Sequence, residues 1–126
     1  MRQWFAGYLD AFAACCRGEQ QTDTLLRYYG VPWLVTTDAG FFALTSEAAV
    51  VGTLQQQVDQ MLAAGYQRTE VLSADVTVFN ASSALYLAEF SRQRGDGTEI
   101  SRLTGSYLVT EGAMGLRISV LVVHSP

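Results

Sequence analysis

The stretch ALYLAEFSRQRGDGTEISRLTGSYLVT, residues 84–110, decides the fold because apolar and polar side chains alternate on both sides of a Gly-Asp-Gly turn. A period of two is typical of β-strands with one buried face, and Asp-Gly is a preferred hairpin tip. With Asp96-Gly97 at the tip, three pairs share a face: Arg94 with Glu99, Phe90 with Leu103, and Tyr86 with Tyr107. The stretch therefore predicts two long antiparallel strands.

The alternation continues outward on both sides of this hairpin, over residues 66–125, with turn residues at 80–83 and 111–115. Four strands in a meander are therefore predicted. The expected core face includes the outer-strand residues Leu72, Ala74, Val76, Val78, Leu116, Ile118, Val120 and Val122. The reverse face is polar but interrupted by Val71, Leu85, Leu87, Leu108, Leu121 and Val123. Such a half-apolar outer face predicts a contact with a second copy of the chain.

Helical spacing dominates the chain before residue 66. Residues 3–17 repeat apolar side chains every three or four positions and stop at Gly18. A short second helix, begun by Thr22 or Asp23, is predicted to include residues 25–29 and close at Gly30. Residues 33–37 and 41–44 then flank a turn and predict a small hairpin. A third helix is predicted between Thr45 or Ser46 and Gly65.

Size and composition predict one globular domain. The chain has 126 residues, of which 49% are hydrophobic and 16% charged, enough for a generous core. All eight basic residues are arginines, and they are scattered among 12 acidic ones for a net charge of -4. Neither nucleic acid nor an anionic membrane surface is therefore expected as a partner. No apolar run approaches the roughly 20 residues of a membrane span, and a cytoplasmic location is expected.

No metal site and no cofactor are expected from the residue types present. Cys15 and Cys16 are adjacent in the first predicted helix, where neighbouring side chains diverge, and they are expected to be reduced core residues. A redox pair or a soft-metal site is the alternative, but no other cysteine supplies ligands.

The order of elements resembles the nuclear transport factor 2-like superfamily over the whole chain. The ending, with residues 102–107, a hairpin, residues 115–118 and the terminal His124-Ser125, is similar to SnoaL-like members, although Leu116 stands where they often have Trp. The resemblance implies an α+β cone in which three N-terminal helices pack on a curved mixed or antiparallel sheet and the open end forms a pocket. Known members include ketosteroid isomerase, scytalone dehydratase, polyketide cyclases and proteins that only bind or assemble.

An aromatic-lined pocket for a small, mainly apolar molecule is the preferred functional interpretation, in a homodimer joined through the outer sheet face. Its expected lining is Tyr8, Phe12, Tyr28, Trp33, Tyr86, Phe90 and Tyr107. Buried phenols need hydrogen-bond partners, and several of them around one cone would give an apolar site with a few polar contacts. Plain core packing is the alternative for each ring.

Two residues are candidate general bases for an isomerase, cyclase or dehydratase, with Tyr8, Tyr28 or Tyr107 as hydrogen-bond donor. Asp38 follows the first predicted strand, and its alternative role is that of a turn residue. His124, the only histidine, is expected on the core-side face, where a bonded strand terminus is the alternative to catalysis. A third interpretation is an assembly or accessory module that works through the outer leucines.

Overall fold

The structure, a computed structural model, describes all residues from 1 to 126. In the part of the chain before residue 66, helices form where apolar side chains recur at helical spacing and face a common core. The helices are α1 (Arg2–Cys16), a 3-10 helix (Thr22–Arg27) and α2 (Glu47–Ala64). The strands are β1 (Tyr29–Thr37), β2 (Gly40–Leu44), β3 (Tyr66–Asn80), β4 (Ser83–Arg94), β5 (Glu99–Gly112) and β6 (Gly115–Val123).

All six strands form one mixed sheet in the order β2-β1-β6-β5-β4-β3. Strands β3 to β6 pair as the predicted antiparallel meander, and β1 joins β6 in parallel. The α+β class, the three helices and the mixed sheet are thus confirmed. The register predicted for the central hairpin is confirmed at Tyr86–Tyr107 and Phe90–Leu103.

One face of the sheet and the helices enclose the core. Alternate residues of β4 and β5 are buried there, together with one stripe of each α-helix. Cys15 and Cys16 are free thiols within this core, and burial raises the pKa of Cys16 to about 12. No helix is both long enough and apolar enough to cross a bilayer.

A bulge in β6 corrects the predicted faces of that strand. Val109 pairs with Ile118 but Leu108 pairs with Val120, so Ser119 is an extra residue and the alternation reverses after it. Leu121 is consequently buried, whereas the prediction placed Val120 and Val122 on the core face. A second irregularity lies in β3, where Val71 rather than Leu72 stands opposite Phe90.

Two further predictions were wrong in detail. The short helix ends before Tyr29, which instead opens β1 because it aligns with Ile118 of the parallel strand β6. Glu99 pairs with Gln93 rather than Arg94, since the register shifts beside the turn. Neither change alters the layer arrangement.

Candidate functional site

The predicted aromatic residues meet in the interior, where they pack against one another. Phe5 stacks on Tyr86 with ring centroids 3.7 Å apart and meets the edge of Tyr107 at 4.9 Å. Of the seven predicted residues, six are buried and Tyr28 is half-buried. Phe5 was missed by the prediction, although it shares the helical stripe of Tyr8 and Phe12 and could have been found from that spacing.

Tyrosine hydroxyls form the polar part of this cluster. The hydroxyls of Tyr8 and Tyr29 share a hydrogen bond, and Tyr29 was the second residue that the prediction missed. Burial raises the pKa values of Tyr8 and Tyr29 well above the ordinary tyrosine value and raises the pKa of Tyr107 to about 12. The three phenols are therefore neutral near pH 7 and suited to hydrogen bonding rather than to proton abstraction.

Little free volume remains beside these rings. None of the four main clefts of the molecule is lined by any of the seven predicted aromatic residues. A cleft of about 140 Å³ lies at the ends of strands β3 to β6, on the core side. Met1, Val78 and Leu116 are among its lining residues. Arg92 packs against the same cluster, with its guanidinium 5.2 Å from the centre of the Phe12 ring. The aromatic rings thus fill the interior of the cone.

Asp38 and His124 lie outside this interior. Asp38 is exposed in the β1–β2 turn, and its Oδ1 accepts a hydrogen bond of 2.5 Å from the Ser125 hydroxyl. His124 is exposed beyond β6, with its Nε2 2.7 Å from Ser106 Oγ. The core-side placement predicted for His124 was wrong, because the bulge at Ser119 reverses which side chains of the following residues face the core. Both candidate bases border a surface cleft of about 580 Å³.

The outer sheet face carries a row of apolar side chains that crosses four strands. Leu85 pairs with Leu108, Leu108 with Val120, and Val120 with Leu34, so the four are neighbours in register. These residues alternate with the buried core positions and therefore point away from the helices. All four are only partly buried. We call Leu34, Leu85, Leu108 and Val120 the apolar row.

A polar network borders the apolar row on one side. Ser91 and Gln93 are only 2% and 8% exposed, although they lie on the outer face. Their side chains donate to Glu99 at 2.5 Å and to Glu70 at 2.8 Å, respectively. Arg102 also binds Glu99, and these contacts lower the pKa of the Glu99 carboxyl. The outer face thus combines an apolar centre with an ordered polar border.

A helix-backed curved sheet of this order defines the class of cone-shaped NTF2-like α+β proteins. The model of one family in that class, NTF2-like protein (DUF6841), matches residues 1–126. The chain belongs to that family, and the resemblance predicted from the sequence is confirmed at the level of the NTF2-like fold. Comparison with curated proteins gives no match.

Solved structures from several bacteria share the fold. A cystatin-like domain of unknown function from Nostoc punctiforme is 22% identical, with a TM-score of 0.71 over 99% of this chain and 74% of that one. A protein resembling the calcium/calmodulin-dependent protein kinase II association domain, from Xanthomonas campestris, is 8% identical, with a TM-score of 0.68 over 100% and 88%. A ketosteroid isomerase-like protein from Shewanella frigidimarina is 13% identical, with a TM-score of 0.60 over 89% and 86%.

Proposed function

We propose that the chain is a non-catalytic association domain that forms a homodimer through the outer face of its sheet. The observation that carries this proposal is the apolar row, which no helix of the chain covers. Apolar side chains aligned across four strands offer a continuous surface to a partner, whereas singly scattered ones do not.

A second copy is the partner that best suits this surface. A twofold contact joins the same patch on both subunits, so an apolar centre meets an apolar centre and polar borders meet at the edge. Stable interfaces bury about 800 Å² on each partner, which needs most of a sheet face rather than one loop. Leu87 and Val122 add apolar side chains next to the row. They lie on the same outer face, one on each side of Ser106, with which both pair.

One structural neighbour supports association as a function for this fold. The Xanthomonas campestris protein takes its name from an association domain, and its fold covers the whole of the present chain. The likeness concerns the fold alone. The proposal that this chain associates rests on its apolar row.

Binding of an apolar small molecule inside the cone, with the seven aromatic residues as its lining, stays a prediction. A ligand would have to displace rings that now contact each other, such as Phe5 and Tyr86. Catalysis from Asp38 or His124 on such a ligand is not part of the proposal. Both side chains lie on the surface, away from the tyrosine hydroxyls with which they would have to act.

The proposal is tested by the mass of the protein in solution. At micromolar concentration, sedimentation equilibrium is expected to give twice the chain mass of 13.8 kDa. Leu108→Arg places an unpaired cation at the centre of the apolar row and is expected to yield the monomer.

A matched control separates the position from the charge. Gln56→Arg adds the same side chain on the exposed surface of α2 and is expected to leave the dimer intact. Thermal unfolding checks that both variants fold. A monomeric wild-type protein, or a folded Leu108→Arg variant that still dimerises, overturns the proposal.

A further inference from the structure

A second surface feature lies where β1 begins, between the 3-10 helix and the β5–β6 hairpin. This cleft has a volume of about 760 Å³, the largest of the four main clefts. Binding sites for small molecules commonly measure about 300 to 1,000 Å³. The cleft is thus large enough for a compact organic ligand.

The apolar part of the lining is aliphatic rather than aromatic. Leu26, Val31, Leu34, Met114 and Val120 contribute to it, and Tyr29 is the one aromatic residue in the lining. Val31 is 42% exposed and Met114 is 77% exposed, so both offer apolar surface that the fold itself leaves uncovered. Met114 lies at the β5–β6 turn, and its flexible thioether side chain can adapt its shape to the flexible hydrocarbon chain of a ligand.

Charged groups in the same cleft favour an anion. Arg27, Arg117 and Glu47 all line it, which gives two positive charges against one negative. None of the three takes part in an ion pair, because the two ion pairs of the molecule join Arg17 to Glu19 and Arg102 to Glu99. Arg117 uses one nitrogen to donate to the Leu116 carbonyl at 2.7 Å. Guanidinium groups are well suited to bind a carboxylate through paired hydrogen bonds.

We propose that this cleft is a binding site for a medium-chain alkyl monocarboxylate. Arg27 and Arg117 would hold the carboxylate, and the aliphatic side chains would cover the alkyl chain. A single negative charge matches the net charge of the three lining groups, whereas Glu47 would repel a second one.

This inference goes beyond the proposed homodimer, because the residues of a single chain already form a cleft of this size. Leu34 and Val120 belong both to the cleft and to the apolar row, so a bound ligand would share these two residues with the dimer contact. The Leu108→Arg variant separates the two proposals. It is expected to bind the ligand whether or not the wild-type protein dimerises.

Octanoate and octylammonium are the matched probes, since they share a chain length and differ in charge. In ¹⁵N NMR titrations of the wild-type protein, octanoate is expected to shift amide signals of Val31, Leu34, Ala113 and Val120 in a saturable manner. Octylammonium is expected to leave them in place. The double variant Arg27→Gln/Arg117→Gln should bind octanoate about tenfold more weakly, as expected for lost charged hydrogen bonds.

Arg2→Gln is the control for the single variant Arg27→Gln, because each removes one positive charge from an exposed side chain and Arg2 does not line the cleft. Its octanoate affinity should change by less than about twofold. Arg27→Gln alone changes an exposed side chain and keeps the test valid if the double variant unfolds. Equal binding of both probes, absence of saturable shifts, shifts centred elsewhere, or unchanged affinity in the folded arginine variants overturns the proposal.

Discussion

Gly105 shows how a single residue sets the packing of the aromatic interior. A Cβ atom at this position would lie 2.9 Å from Cε1 of the Tyr107 ring and 3.3 Å from Cδ1 of Leu121. Real Cβ atoms do not approach neighbours so closely, so the absent side chain allows Tyr107 to lie flat over its own strand. The glycine is therefore part of the core.

Gly105→Ala is expected to lower the free energy of unfolding by about 1–3 kcal/mol, because Tyr107 is buried among rings that must move with it. Urea unfolding measures the change. Gly52→Ala is the control in the middle of α2, where a new Cβ meets nothing within 4 Å. That substitution should stabilise the protein by about 0.5–1 kcal/mol through helix propensity. A Gly105→Ala variant as stable as wild type would contradict the packing described above.

The buried phenols predict a loss of stability in alkali. Burial raises the folded-state pKa of Tyr107 from 10.0 to about 12, so its contribution is complete below pH 10 and declines as the pH rises toward 12. The unfolded chain releases the proton first, which favours unfolding in this window. Urea midpoints should therefore be level between about pH 7 and 9 and fall above about pH 10. Tyr107→Phe should make that fall shallower; an unchanged slope would contradict the burial of this hydroxyl.

At the scale of elements, alternation and helical spacing predicted most of the fold. The central hairpin was placed in register because its turn residues fix the pairing of Tyr86 with Tyr107. The bulge at Ser119 was not predictable in the same way. The alternating side chains of β6 fit an unbroken strand equally well. The bulge is set by pairing with β5 and by the hydrogen bond of 2.6 Å between the hydroxyls of Ser119 and Thr110.

The candidate site was less predictable than the elements, because it depends on how distant strands pair and not only on local patterns. Tyr8, Phe12 and Tyr107 lie together in the core, as the period of each residue's own element indicates. The prediction misplaced His124, whose face depends on the bulge five residues earlier. The cleft beside Arg27 and Arg117 brings together a helix, a strand and a hairpin that are distant in the chain, and no local pattern marks it.

Helix α2 offers a test of local capping. The Ala49 N–H donates to Ser46 Oγ at 3.1 Å, which satisfies one free amide at the start of the helix. Ser46→Ala is expected to lower the free energy of unfolding by about 1 kcal/mol in urea titrations. Thr45→Ala, one residue earlier and outside the helix, should change it by less than about 0.5 kcal/mol. Equal effects of the two substitutions would show that the Ser46 side chain does not cap α2.

For the whole molecule, the sheet separates two surfaces of different character. Its inner face and the helices enclose interlocked aromatic rings, while its outer face presents the apolar row beside an ordered polar border. Other structures with this fold, such as the ketosteroid isomerase-like protein, show that the architecture is shared more widely than any one role. On the outer face, partly exposed apolar side chains align across four neighbouring strands, which is why association is the proposed function.

Hydroxyl-radical footprinting at a series of protein concentrations tests this central claim most directly, because it reports which side chains the second copy covers. Oxidation of Leu85 and Leu108 should increase as the protein is diluted from dimer to monomer. Oxidation of Phe42, exposed on the edge strand β2 and directed toward the inner side, should stay constant. Leucine oxidation that is independent of concentration in a sample that dimerises would contradict association through the outer face.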